Sequence, residues 1–313
     1  MQVHTNINSL PLFRNAVITI GTFDGVHEGH RQVISKLRDV AKEVDGESVI
    51  ITFHPHPRKV VSSAILGIRL INTLSEKTEL LSTLHIDHLV VVPFTEMFAN
   101  QPAEEYIRDF LVRKFHPHTI IIGYDHRFGR DRLGDYRLLE SKSIENDYRI
   151  LEIPKHLLEN ISISSTNIRE AILHNDTKTA NRLLGYDFFF SGKVVHGDKL
   201  GRELGYPTAN LKVNDDEKII PGNGIYAVYA QTERSDRRLK GMMSIGFRPT
   251  VNGTTRVIEV NIFDFNESIY DEQLKVYVVQ YLREEIKFDD LPALIRQIDQ
   301  DKADTLRILG GKD

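Results

Sequence analysis

The hydrophobic period of this chain changes near Gly185, and that change limits its fold more than any other feature. Before it, short apolar runs alternate with segments whose apolar residues recur at helical spacing. Strands are expected at 16–20, 48–53, 88–93, 119–123 and 149–153, and helices at 29–44, 75–84, 102–114 and 135–147. That alternation implies an α/β unit built on a parallel sheet covered by helices. Ligands of such sheets bind at the carboxyl ends of the strands, near a switch in strand order. Two further helices, 166–173 and 178–184, are closed by Gly185, a residue suited to a left-handed cap. Beyond it the period is two, with strands expected at 188–195, 224–231, 239–245, 257–265 and 273–282. Successive strands without helices imply an antiparallel barrel or sandwich. A final helix over 290–309 carries Leu291, Leu294, Ile295, Ile298 and Ala303 on one face. The expected domains are therefore 1–185 and 186–313, and a chain of 313 residues suits two domains.

Local signals agree with this outline. Thr73-Leu74-Ser75-Glu76 is a capping box, in which hydroxyl and carboxylate satisfy N–H groups at a helix start. Pro102 suits a first helical position. With no cysteine, a disulfide scaffold and thiolate metal sites are excluded. A formal net charge of −4 argues against a nucleic-acid partner held by phosphate neutralisation. No apolar run approaches the ~20 residues that would span a membrane. Met1-Gln2-Val3-His4-Thr5-Asn6 lacks the basic start and apolar stretch of a signal peptide. A cytoplasmic protein, monomeric or weakly self-associating, is expected.

The chemistry concentrates in a few segments. Gly21-Thr22-Phe23-Asp24-Gly25-Val26-His27-Glu28-Gly29-His30 lies where a strand turns into a helix. The N–H groups of a first helical turn point at ligands there, glycine allows close backbone approach, and imidazole donates to phosphate oxygen. The alternative is a glycine-rich turn with two surface histidines. Phe53-His54-Pro55-His56-Pro57-Arg58 follows the second strand, and its Arg58 is suited either to a phosphate or to solvent on a rigid turn. Gly123-Tyr124-Asp125-His126-Arg127-Phe128-Gly129-Arg130 follows the fourth, where a carboxylate can hold a ribose hydroxyl, or can simply face solvent on a charged loop. Ser164-Ser165-Thr166-Asn167-Ile168-Arg169 opens a helix. Capping explains Ser165 or Thr166, but it does not call for Arg169, which would complete an anion site.

In this order, these four segments resemble the nucleotidyltransferase module of the bacterial bifunctional riboflavin kinase/FAD synthetase family. The resemblance implies a Rossmann-like domain joining FMN and ATP into FAD and pyrophosphate. It places ATP on Gly21, Phe23, Asp24, Gly25, His27, His30, Asp125, Ser165, Thr166 and Arg169, with His27, His30 and Arg169 acting in catalysis. It places FMN near His56, Pro57, Arg58, His126 and Phe128. His126 departs from the pattern, since the family more often carries an aromatic residue there. The nucleophile, a phosphate mostly dianionic near neutral pH, needs no general base. Catalysis then reduces to alignment and charge stabilisation.

In the second part, glycines at 192, 197, 201 and 205 precede Tyr206-Pro207-Thr208-Ala209-Asn210. Such a loop can lie over phosphates, or form a glycine-rich hairpin with a polar edge. Thr208 and Asn210, two apart in an extended segment, can face one ligand. Period two puts Glu259 and Asn261 on one face of their strand, which is also where a solvent-facing pair would fall. With Ser244-Ile245-Gly246-Phe247-Arg248-Pro249-Thr250 and Phe263-Asp264-Phe265, these segments resemble the riboflavin kinase module of the same family. The resemblance implies a six-stranded Greek-key barrel with a closing helix. It implies Glu259 as base for the riboflavin hydroxyl, a group that does need one. It gives Gly197, Lys199, Gly201, Arg202, Gly205, Thr208 and Asn210 to ATP, Thr208 and Asn210 to magnesium or another divalent cation, and Arg283 to the flavin side. Riboflavin, FMN and ATP are then the expected small-molecule substrates, with ATP serving both steps. The rivals are a protein with one active half, a flavin carrier, and a different His-x-Gly-His adenylyltransferase.

Overall fold

The computed structural model describes residues 1–61, 69–153, 164–197, 201, 204–250 and 253–311. They form two compact units, Met1–Ser165 and Thr166–Asp313.

The first unit is built on a six-stranded sheet, in the order β1-β4-β3-β2-β5-β6. Its strands are β1 (Gln2–His4), β2 (Val17–Ile20), β3 (Ser48–His54), β4 (His88–Pro93), β5 (Thr119–Gly123) and β6 (Arg149–Ile153), and every pairing is parallel. All four residues of β2 are buried, as a central strand covered on both faces requires. The chain runs outward from β2 through β3 to β4, then returns to lay β5 on the other side of β2. The switch in strand order therefore falls between β2 and β5, and the loops leaving their carboxyl ends are the Gly21–His30 turn and the 123–134 loop.

The helices match their local signals. Helix α1 (Glu28–Glu43) buries Ile34, Leu37, Val40 and Ala41. Helix α2 (Leu74–Ser82) carries the capping box in full, with Glu76 N donating to Thr73 Oγ1 at 3.2 Å and Thr73 N to Glu76 Oε2 at 3.0 Å. The segment expected as a plain helix, α3 over 103–115, holds a π-helical stretch, Tyr106–Val112, between short α-helical ends. There Phe110 packs its ring 5.0 Å from Phe98 and 5.4 Å from Phe115. Helix α4 (Tyr136–Ser143) is capped by Asp135, which accepts from Leu138 N at 3.1 Å.

The second unit begins earlier than the change of period. Helices α5 (Ser165–Leu173) and α6 (Thr177–Leu184) come first, and Gly185 caps α6 at φ 76°. Asn181 explains where α6 packs. Its Nδ2 donates to Val278 O at 2.9 Å, and its Oδ1 accepts from Phe188 N at 2.8 Å. The strands β7 (Phe188–Val195), β8 (Ala209–Lys212), β9 (Gly224–Thr232), β10 (Leu239–Thr250), β11 (Gly253–Ile262) and β12 (Gln273–Arg283) close into a barrel, β10-β11-β8-β7-β12-β9. All barrel pairings are antiparallel. β9, β10 and β11 follow one another and β12 returns beside β9, which is a Greek key. Phe188, Phe190, Tyr226, Met243, Val260 and Val276 fill the interior. Helix α7 (Leu291–Gly310) starts at Asp290, which accepts from Ala293 N at 2.7 Å, and buries Leu309 against Ala227 and Val279.

Candidate active sites

The first site grows from the turn after β2. Phe23, Gly25 and Val26 all have positive φ (48°, 93° and 37°). A β-branched residue such as Val26 rarely adopts that conformation, and strain of this kind collects where a turn must present its backbone to a ligand. His27 caps α1, and its Nδ1 accepts from His30 N at 3.3 Å. The two imidazoles stack at 3.6 Å, and Phe23 lies 5.1 Å from His30. A Cβ on Gly29 would press on the His27 ring at 3.3 Å, so the helix start is kept small to seat it. Nδ1 of His30 is buried without a hydrogen-bond partner. Burial, then the neighbouring His27 and Lys77, hold its pKa well below the ordinary histidine value. His30 is therefore a neutral imidazole at physiological pH, with a polar atom suited to a ligand.

Asp24 has a structural task that its sequence position did not announce. It is buried, and Oδ1 accepts from Ile71 N at 3.0 Å and Asn72 N at 3.2 Å. Its backbone carbonyl accepts from Ser165 Oγ at 2.9 Å. The structure thus joins Gly21, Phe23, Asp24, Gly25, His27, His30 and Ser165 in one neighbourhood. Thr166 and Arg169 lie on α5 in the second unit.

The other loops at the sheet's carboxyl edge are mixed. His56 is buried and its Nδ1 accepts from Arg58 N at 3.3 Å, while Pro57 opens a helical turn, Pro57–Val61, that leaves Arg58 exposed. Asp125 is exposed. Phe128 is a core residue, stacked on Tyr106 at 5.0 Å. His126 is half-buried, its Nε2 has no partner, and burial pushes its pKa down to about 4.

The second site sits on the barrel. Glu259 lies directly across from Asn210 in the β11–β8 ladder and from Ser244 in the β10–β11 ladder. Its Oε1 accepts from Thr208 Oγ1 at 3.3 Å and its Oε2 pairs with Arg248 Nη2 at 2.5 Å. Asn261 Nδ2 donates to Pro207 O at 2.7 Å, which fixes the strand entry that presents Thr208. A Cβ on Gly197 would collide with the Asn210 side chain, and one on Gly201 with the Tyr206 backbone. Gly197 and Gly201 are thus held without side chains by their neighbours, whereas Gly205 serves its φ of 81°. Beside them opens a cavity lined by Thr208, Ala209, Val260, Phe265 and Tyr270. Lys199 and Arg202 lie outside the described residues. Among the described residues, no group of three His, Cys, Asp or Glu side chains is arranged to hold a metal. The hydroxyl of Thr208 and the amide oxygen of Asn210 are hard oxygen donors, of the kind that suits a divalent cation such as magnesium.

Arg283 ends β12. Its Nε and Nη2 bind both oxygens of buried Asp301, at 2.9 and 2.6 Å, and Nη1 donates to Glu284 O at 2.8 Å. The guanidinium fork thereby latches α7 onto β12.

Two groups escaped the sequence reading. Lys77 is buried beneath the first site, and Arg248 was visible only as part of a motif. A signal existed for Lys77: it lies in line with Leu80, Leu81 and Leu84, at the spacing of an apolar helix face.

A family model described as FAD synthetase matches residues 11–167, and one described as riboflavin kinase matches 184–309. A bifunctional riboflavin kinase/FMN adenylyltransferase from Buchnera aphidicola is 36% identical over 92% of this chain and 92% of its own. Proteins of the same name from Listeria monocytogenes and Escherichia coli are 35% and 33% identical, over 93% and 97% of this chain and 91% and 96% of theirs. The crystal structure of a protein named as a macrolide-efflux protein, from Streptococcus pneumoniae, superposes with a TM-score of 0.87 at 30% identity, covering 97% of this chain and 98% of that one.

Proposed function

The chain belongs to the bifunctional riboflavin kinase/FMN adenylyltransferase family, and from that premise we propose how its residues divide the two reactions. It phosphorylates riboflavin to FMN and then adenylylates FMN to FAD, using ATP in both steps. The assignment to modules is 1–185 for adenylyl transfer and 186–313 for the kinase.

In the kinase step, the riboflavin 5′-hydroxyl oxygen bonds to the γ-phosphorus of ATP, the bond to the β-bridging oxygen breaks, and ADP leaves. The hydroxyl proton passes to Glu259. Thr208 and Arg248 orient that carboxylate through their hydrogen bonds to its two oxygens. Thr208 and Asn210 would hold a magnesium ion, which would neutralise charge on the ATP phosphates. Gly197, Gly201 and Gly205 let the loop approach those phosphates.

In the adenylyl step, an FMN phosphate oxygen bonds to the α-phosphorus of ATP and pyrophosphate departs. The backbone of the Gly21–Gly25 turn, His27 and the neutral His30 bind the phosphates, and Arg169 opposes the charge that gathers on the leaving group. Asp125 takes the ribose. His56, Pro57, Arg58, His126 and Phe128 shape the flavin side.

The observation that carries the reading is the Thr208–Glu259–Arg248 constellation standing opposite Asn210. Its test is product analysis over time with riboflavin, ATP and magnesium. FMN should rise first and FAD follow, with ADP and pyrophosphate released in turn. ATP consumption without FMN would sink it.

Efflux, the activity in the name of the Streptococcus protein, is not carried over. No described helix is long and apolar enough to cross a membrane. With no cysteine and small charged substrates, we place the protein in the cytoplasm as a monomer or weak oligomer.

A further inference from the structure

We propose that Lys77 is a positioning residue for adenylyl transfer, which orients the Thr22–Phe23 peptide from beneath the phosphate turn and sets a positive charge under it. The proposal rests on the reading of the Gly21–His30 turn as the ATP phosphate site.

Lys77 is only 6% exposed, on the face of α2 that lies under the turn. Its Nζ donates to Thr22 O at 2.6 Å, and Thr52 Oγ1 donates to the same carbonyl at 3.2 Å. The Thr22–Phe23 peptide is trans, so its N–H points opposite to its carbonyl. With the carbonyl turned down onto Lys77 and Thr52, the Phe23 N–H is turned up. Phe23, Gly25 and Val26, all at positive φ, continue the turn in the manner of an anion-binding backbone concavity. The capping box fixes where α2 begins, and hence where the ammonium stands.

A buried ammonium is costly unless something offsets it. Burial lowers the Lys77 pKa, and nearby Asp24 opposes that fall. Asp24 is itself buried and bound to the 71–72 backbone, so the pair forms a fixed layer under the turn. The groups acting on His30 are His27 from the turn and Lys77 from α2, with Asp24 beside the lysine. Lys77 thus helps keep His30 neutral, able to donate to phosphate without first taking up a proton.

The test compares K77M, K77R and H27A in the full-length enzyme, following FAD synthesis from supplied FMN and riboflavin phosphorylation side by side. K77M keeps the apolar stem and removes the donor and the charge. It should lower kcat for FAD synthesis about tenfold or more and move the acid limb of that profile to higher pH by about half a unit, because His30 loses a nearby positive charge. K77R should leave the acid limb in place, and phosphorylation should be unchanged in both. K77M within about twofold of wild type, or slower with an unmoved acid limb, overturns the proposal. If K77M does not fold, K77Q is read in the same way: an acid limb and a kcat for FAD synthesis that match wild type overturn the proposal, and a slower enzyme with its acid limb moved to higher pH supports it. H27A separates the levels: intact FAD synthesis in H27A refutes the site itself, whereas loss in H27A with a normal K77M refutes Lys77 alone.

Discussion

The Ser165 hydroxyl donates to the backbone carbonyl of Asp24 at 2.9 Å, across 141 positions of sequence. Asp24 holds the 71–72 backbone with its carboxylate and receives Ser165 on its carbonyl, so one residue of the phosphate turn gathers two distant segments. Ser165→Ala removes this tie without adding bulk. A neutral hydrogen bond is worth about 1 kcal/mol, so kcat/KM for FAD synthesis should fall roughly five- to tenfold. Riboflavin phosphorylation, measured on the same samples, should not change. A variant with unaltered FAD synthesis would show that this tie does not hold the phosphate turn in place.

Glu259→Gln should abolish FMN formation, by about 100-fold or more, while FAD formation from supplied FMN continues. The amide keeps the size of the side chain and can still accept from Thr208, but it has no basic oxygen for the substrate proton. It also loses the charge that pairs with Arg248. Near-normal phosphorylation by this variant, followed by HPLC of the flavins, would remove Glu259 from the base role.

Much of this was legible in the sequence, for physical reasons that also explain the gaps. The buried parallel strands read clearly because they are apolar throughout, as in Val17–Ile20. β1 escaped because Gln2–His4 is an edge strand of three residues, too short to show a period. β8 escaped as a strand because Ala209–Lys212 is only four residues behind a proline. β11 was expected to run on to Phe265, since the alternation persists there, but it ends at Ile262 and Asp264 turns the chain at φ 53°. β10 was expected to stop at Ile245, yet it continues through Gly246, where the Glu285 carboxylate occupies the space of a side chain. The site motifs were legible because glycine, histidine and hydroxyl residues cluster there. Lys77 was not read, because a lysine ordinarily marks a solvated helix face, and only its spacing from Leu80, Leu81 and Leu84 places it on the buried one.

The first unit should lose stability in mild acid. His30 is held well below the ordinary pKa of 6.5, and His126 falls to about 4, both chiefly through burial. A depressed histidine pKa means that the folded state binds fewer protons than the unfolded chain. The stability is therefore complete above pH 6.5 and drains away as pH falls from there toward 4. His126→Phe removes one of these groups, and because Nε2 has no partner the change forfeits no hydrogen bond there. The loss of stability between pH 7.5 and 5, read from urea unfolding, should shrink by on the order of 1 kcal/mol in the variant. An unchanged pH dependence would mean that His126 titrates normally.

A kinase fragment should need α5 and α6, although neither carries kinase chemistry. α6 buries Ala180, Leu183 and Leu184 and packs on β7 and β12. Burying two leucines is worth about 3–6 kcal/mol, and Asn181 adds hydrogen bonds to Val278 and Phe188. That sum rivals the 5–15 kcal/mol that stabilises a typical domain. Residues 166–313 should accordingly fold and make FMN but no FAD, because the phosphate turn is missing. Residues 186–313 keep every proposed kinase residue, yet they expose the β7 and β12 surface that α6 covers, and should melt at markedly lower temperature. Calorimetry of the two fragments decides between them. Equal melting temperatures would show that α6 adds nothing to the barrel, and FAD from either fragment would contradict the assignment of adenylyl transfer to the N-terminal part.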